Sequence, residues 1–232
     1  MDYEILALGD SASFPDEHPL LEGAARKGEV LLILGDRTAE ALARVTHPER
    51  YRAVVIELGT ECLGLYTGES QGEEGSNVLG FARFRLGADP ASNLVELVCQ
   101  PATPRSAIDA ARAMFESAGL QVAVCRDVPG RIVNRLVRPY YNAALRRLDE
   151  GLATAADMDT TLKLGLGYPE GPIGLLERSG LEHHCDVTQA LYEATGDAGF
   201  FPARRARVAK QRAQAQAASQ AWAERSKEPS DD

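Results

Sequence analysis

The sequence predicts an α/β domain followed by an all-helical domain, and three observations carry that reading. Short apolar runs at residues 3–8, 30–34 and 53–58 stop at or near Gly or Asp and alternate with helix-compatible text, as in a parallel sheet. From Ile132 onward the pattern is helix after helix, broken by Gly and Pro. Between the two lies a pivot, D-V-P-G-R-I-V-N-R-L-V-R-P-Y-Y-N-A-A-L-R-R-L-D-E-G, over residues 127–151. There Pro129-Gly130 ends one pattern, and Val133, Leu136, Val137, Tyr140, Tyr141, Ala144, Leu145 and Leu148 recur at helical spacing. Arg135, Arg138, Arg146 and Arg147 fall mostly between them, which predicts one buried side and one charged side. Pro139 sits inside this helix and removes a backbone donor, so a kink is expected there.

Taken in order, the first strand ends at Gly9 and the second at Gly35-Asp36, with a helix fitted over residues 38–44. Residues 58–77, rich in Gly and Glu, read as a flexible surface loop. Two strands at 78–84 and 93–98 follow, then an amphipathic helix over 104–118 with Ile108, Ala111 and Phe115 on one face. A last strand at 122–125 closes this part. Beyond the pivot, a helix over 154–163 directs Ala155, Met158 and Leu162 inward, and Gly171-Pro172 starts the next. A further helix spans 181–194, and residues 204–225, rich in Ala, Gln and Arg, form a long polar one. Residues 228–232 have a disordered composition. The resulting division is 1–127, 128–203 and a polar tail over 204–232.

Composition narrows the function classes. A formal net charge of −9 on 232 residues argues against a general nucleic-acid binder. No apolar run reaches membrane-spanning length and the N-terminus lacks a signal-peptide layout, so a cytoplasmic protein is expected. Cys62, Cys99, Cys125 and Cys185 are widely spaced, as small buried thiols are in a reducing compartment. His183-His184-Cys185-Asp186 could suggest a metal. Adjacent histidines on a helix point about 100° apart, however, so a solvent-facing helix start is the reading, and no metal site is expected. Neither His18 nor His47, both in loop-like text, has a visible carboxylate partner.

A nucleotide-binding half needs a glycine fingerprint after its first strand. This chain has G-D-S-A-S-F-P-D-E-H-P there, where prolines and acids would crowd and repel a pyrophosphate. Asp36 stands where a ribose-binding acid belongs, and equally where a helix cap before Thr38 belongs.

P-G-R-I-V-N-R-L, followed by L-G-L-G-Y-P-E-G-P-I-G-L-L, resembles the 3-hydroxyacyl-CoA dehydrogenases of the 3-hydroxybutyryl-CoA dehydrogenase type, at the join to their helical C-terminal domain. N-V-L-G-F-A-R-F, N-L-V-E-L-V and A-L-Y-E-A-T-G-D extend the likeness over residues 53–202. It resembles the second module of long bacterial members, which implies a reduced Rossmann-like α/β domain followed by an all-α dehydrogenase C-terminal (dimerisation) domain.

The resemblance implies NAD-linked oxidation of a 3-hydroxyacyl-CoA in fatty-acid or aromatic-acid degradation, a reaction that needs a general base. Position by position, Asn134 matches the family's substrate-contacting asparagine and Glu96 the glutamate that orients the base. The base itself, a histidine, falls at Ala82. Neighbouring Arg83 and Arg85 cannot replace it, since a guanidinium stays protonated. Beside these roles stand plainer ones: Glu96 as a surface acid on an edge strand, Asn134 as a hydrogen bonder at a helix start. The family's lysine-threonine-glycine-aromatic ending is also missing. Two functions therefore stand side by side: an active dehydrogenase using NAD, or a non-catalytic member with no cofactor in the isolated chain. The second would form a homodimer through the helical domain or dock on a full-length homologous dehydrogenase, with acyl-CoA a further candidate ligand.

Overall fold

The computed structural model describes residues 2–225. They fall into two units, one made of the chain up to Arg85 with Asp89–Arg135, the other of Leu86–Ala88 with the chain from Leu136 onward. The predicted disorder at 228–232 lies outside the described residues.

The first unit is built on six strands: β1 (Tyr3–Ala7), β2 (Val30–Leu34), β3 (Ala53–Glu57), β4 (Val78–Arg83), β5 (Leu94–Cys99) and β6 (Gln121–Arg126). They lie side by side in chain order, all neighbours parallel except β4 and β5. β2 and β3 read V-L-L-I-L and A-V-V-I-E because both faces are covered, the composition expected of central parallel strands. Val30, Leu32, Val55, Leu79, Phe81 and Leu97 face one core with Phe14, Leu20 and the helix α4 (Arg105–Ser117). Alternate residues Leu31, Ile33, Val54, Ile56 and Val98 face the other with Ala41 and Leu63. The Rossmann-like α/β class is thus met, in reduced form: the strand order never reverses, whereas dinucleotides bind where it does. The first parallel connection crosses over one face and the next two over the other, so the three cannot share one hand.

Three short helices complete this unit: α1 (Pro19–Glu22), α2 (Thr38–Ala43) and α3 (Gly64–Thr67). α3 corrects the expectation of a plain surface loop over 58–77. The Asp127 carboxylate accepts hydrogen bonds from Leu63 N at 2.6 Å and Gly64 N at 2.7 Å, and Leu63 is fully buried. Asp127 is far off in sequence, so no local pattern announces the helix it starts.

The second unit continues α5 (Val133–Asp149), which begins in the first, and adds α6 (Ala155–Leu166), α7 (Pro172–Ser179), α8 (Leu181–Thr195) and α9 (Arg204–Arg225). α5 runs through Pro139. Thr154 caps α6 by accepting from Asp157 N, and Pro172 opens α7 as expected. Ala155, Met158 and Leu162, by contrast, are only partly covered, and no α6 residue is buried.

The two-sided reading of α5 also needs correction. Arg138, expected on the charged side, is 2% exposed, while Leu136 is 71% exposed. The reason is a polar network around His184, itself buried and so not on a solvent-facing helix start. The Arg138 guanidinium lies 3.1 Å from His184 Nδ1, and since it can only donate, Nδ1 accepts. The ring proton is then on Nε2, which donates to Asn142 Oδ1 at 3.0 Å. Ala203 N donates to the same oxygen at 3.2 Å, and Asn142 Nδ2 donates to Gly199 O at 3.1 Å. Burial, then the nearby Arg138 charge, push His184 down to about 3, so it is neutral at pH 7.

Candidate functional site

The strands β4 and β5 pair antiparallel with Ala82 directly opposite Glu96. Residues so paired point to the same face with Cβ atoms about 5 Å apart. A base at position 82 would therefore stand beside the Glu96 carboxylate, which is the geometry the sequence correspondence requires. The methyl group there holds no proton acceptor.

Glu96 is 1% exposed and sits on an interior strand, which overturns its reading as a surface acid on a sheet edge. Its Oε1 accepts from Ile132 N at 2.7 Å and Val133 N at 2.8 Å, the amides at the start of α5. Its Oε2 is 3.8 Å from Arg131 Nε, close enough for an ion pair and too long for a hydrogen bond. Arg131 is equally buried and takes the left-handed backbone, φ +55°, that residues with a Cβ seldom adopt. Its guanidinium also donates to the carbonyls of Gly59 and Glu61. Burial draws the Arg131 pKa below its ordinary value, and Glu96 followed by Glu61 opposes that. Glu96 thus ties β5 to the first turn of α5, where the helix dipole also favours its charge. Asn134 is the second residue of α5, half-buried.

Neither neighbouring arginine approaches the role of a base. Arg83 donates to Ser92 O and Ser13 O, both at 2.8 Å, and covers the Phe14 ring at 4.7 Å. Arg85 Nε donates to Asp89 O at 2.8 Å. Both fasten loops.

At the C-terminal ends of β1, β2 and β3 lies a cleft of about 450 Å³, the usual place for a ligand in an open α/β sheet. Asp10, Asp36, Glu57 and Glu61 line it. Glu57 accepts from Ser13 N at 2.7 Å and Gly35 N at 2.8 Å, so amides that could cradle a phosphate already hold a carboxylate of the protein. These residues do not fit the pyrophosphate of NAD. Asp36 also fails as a cap: the residue before α2 is Arg37, with no side-chain cap bond, and Asp36 packs over Gly9. Sequence reasoning missed Glu57, whose position at the end of an apolar strand was its only signal. Among the described residues, no group of His, Cys, Asp and Glu could hold a metal ion, and no helix is long and apolar enough to cross a membrane.

Comparison with known proteins bears on the helical part first. The family model of the 3-hydroxyacyl-CoA dehydrogenase C-terminal domain matches residues 130–225. Residues 130–225 thus carry a domain of the 3-hydroxyacyl-CoA dehydrogenase C-terminal type. It is 40% identical over 113 residues to the human mitochondrial hydroxyacyl-coenzyme A dehydrogenase, a match covering 45% of this chain and 36% of that one. To the 3-hydroxybutyryl-CoA dehydrogenase of Bradyrhizobium diazoefficiens it is 35% identical, covering 49% and 39%. The chain therefore spans well under half the length of these dehydrogenases. Among solved structures, 3-hydroxybutyryl-CoA dehydrogenase from Escherichia coli K12 aligns with a TM-score of 0.65 and 25% identity, over 84% of this chain and 40% of that one. The likeness to a dehydrogenase thus extends beyond the helical domain into the reduced sheet.

Proposed function

We propose that this chain is a non-catalytic member of the 3-hydroxyacyl-CoA dehydrogenase family, acting as a dimerising or partner module in fatty-acid or aromatic-acid degradation. The observation that carries this reading is Ala82 facing a Glu96 whose carboxylate is already committed to Ile132, Val133 and Arg131. Loss of a positioned base alone removes about 10²–10⁴ in rate. The acid-lined cleft and the unreversed strand order speak against NAD in the same chain.

A partner is favoured by the helical unit. Leu164 is 82% exposed, and Leu136, Leu152 and Leu166 are also largely exposed, an unusual surface for an isolated domain. Beside a groove formed with Tyr141, Tyr168 and Pro172, the Tyr140 hydroxyl is buried with no hydrogen-bond partner among the described residues. Covering these leucines with a second copy, or with a full-length homologous dehydrogenase, would remove them from water. Such a partner could also satisfy that hydroxyl.

The second reading, active oxidation of a 3-hydroxyacyl-CoA, rests on the retained Glu96 and Asn134. NADH oxidation with acetoacetyl-CoA at high protein concentration separates the two. The expected rate is that of buffer, and it stays there in Ala82→His, because Glu96 is engaged elsewhere. Turnover by the unaltered chain would overturn the proposal. A rise in the activity or stability of a full-length homologue on adding the chain would identify it as a partner.

A further inference from the structure

The sheet of the first unit has an open side at β1, which pairs with β2 alone. Asp2 O accepts from Glu29 N and Leu8 N donates to Leu34 O, both at 2.9 Å, so the even-numbered residues turn their backbone groups toward β2. Tyr3, Ile5 and Ala7 therefore turn theirs outward. The Tyr3 carbonyl is taken by Ala25 N at 2.8 Å. That leaves the outward N–H and C=O of Ile5 and Ala7, among the described residues, without a strand partner.

Beside this edge runs a cleft of about 690 Å³, with Ile5, Ala7, Phe14, Pro15, Leu21 and Leu34 in its lining. Its far wall is fixed in place, for Ser13 N donates to Glu57 at 2.7 Å and Arg83 donates to Ser13 O while covering Phe14. An open edge beside a preformed apolar groove is the arrangement by which proteins add a strand from another chain.

We propose that a second copy of this chain fills the edge, β1 against β1 in antiparallel pairing about Leu6. In that register Ile5 of each copy faces Ala7 of the other, and each pair exchanges both of its backbone hydrogen bonds. The open groups on one edge are thus the complement of those on the other. Ile5 and Ala7 of both copies point to the same face, bringing the two apolar clefts together across the junction. Glu4 does not oppose the contact: its carboxylate accepts from Gly28 N at 3.0 Å and from the Tyr51 hydroxyl at 3.2 Å, with Arg50 at 3.5 Å. Beyond the strand ends Asp2 of each copy lies opposite Asp10 of the other, a like-charge contact that weakens the association and that salt screens. This surface is separate from the helical face invoked above and does not depend on it.

Sedimentation equilibrium of the full chain over a wide concentration range tests the proposal, with Ala7→Pro and the double variant Leu164→Glu/Leu166→Glu beside it. Proline is tolerated at an edge where the lost N–H faces solvent, so Ala7→Pro should keep its circular dichroism and unfolding midpoint. Its self-association should weaken at least tenfold, while the double variant keeps the β1-dependent step. A wild-type chain that stays monomeric, or a folded Ala7→Pro that associates like wild type, overturns the proposal. Should Ala7→Pro not fold, register-specific crosslinking decides: mild oxidation should join Leu6→Cys into a dimer, since the Leu6 Cα atoms would lie about 4.5 Å apart. Glu4→Cys should not crosslink, and equal yields from the two would sink the pairing. The helical-face reading, where its partner is a second copy, fails by a different sign, a double variant with an unchanged mass profile.

Discussion

Arg131 in the α/β unit and Arg138 in the helical unit are both almost wholly withdrawn from water, yet they are balanced differently. Arg131, just before α5, faces the Glu96 carboxylate and the carbonyls of Gly59 and Glu61. Arg138 donates to a neutral imidazole, which passes a proton donor on to Asn142. Burial draws Arg138 down to about 10, which leaves it charged at neutral pH. The first arrangement is an ion pair held between two elements. The second is a chain of donors and acceptors with one protonation pattern. The difference teaches what Glu96 does with only a methyl group opposite it: its charge is needed by Arg131 and by two helix amides whether or not any reaction occurs.

Deleting the carboxylate breaks that comparison most sharply. Glu96→Ala strands a buried cation and should destabilise the chain by about 3–5 kcal/mol in urea unfolding. Glu96→Gln, which keeps an acceptor for the amides, should cost less. A loss under 1 kcal/mol for the alanine variant would show that Glu96 is not what holds the start of α5 to β5.

The helical network should respond to pH in a range where carboxylates do not yet titrate. His184 is held near 3 when folded, against an ordinary 6.5, so below pH 6.5 the unfolded chain takes up a proton that the folded chain refuses. Its contribution is therefore complete above pH 6.5 and is lost as pH falls from there toward 3, by at most about 1.4 kcal/mol per pH unit. Stability measured between pH 7 and 5 should decline in the wild type and be flatter in His184→Gln. Equal slopes would mean that His184 charges freely in the fold.

A smaller effect attends Asp159, whose carboxylate accepts from Ile173 N at 2.9 Å and Gly174 N at 2.8 Å at the start of α7. Asp159→Ala should cost about 1 kcal/mol, the usual worth of a helix cap. Gly171 belongs to the same device, since a Cβ there would lie 2.2 Å from the Asp159 side chain. Least of all should be the change in monomer stability on Leu164→Glu/Leu166→Glu, within about 0.5 kcal/mol, because neither side chain is covered in the single chain. Its effect belongs to association, read by the mass measurement above.

What could be read from the sequence follows the reach of each signal. Apolar runs located all six strands, because the inner ones are buried on both faces and even the partly buried edges β1 and β6 keep a short apolar run. Capping chemistry placed the start of α6 and the Pro172 start of α7 for the same local reason. Motif order set Ala82 and Glu96 against the family's base and its orienting acid, and the β4–β5 register places the two residues opposite each other. The partners of Glu96 were not, because Arg131 and the α5 amides reach it only through the fold. Helical periodicity likewise misplaced Arg138 and Leu136. It assigns charge to solvent and leucine to the core, and cannot foresee His184 waiting on another helix or a leucine left exposed.

In the sheet, every strand after the first hydrogen-bonds to the strand just before it in the chain, with Tyr3 meeting Val30 and Leu94 meeting Gln121. A dinucleotide fold that reverses its strand order must return a late strand to the side of the first one, closing a long loop before that contact is rewarded. Here no pairing waits for a distant segment. The loop-closure entropy is met in small instalments, and the sheet can be laid down strand by strand in the order of synthesis.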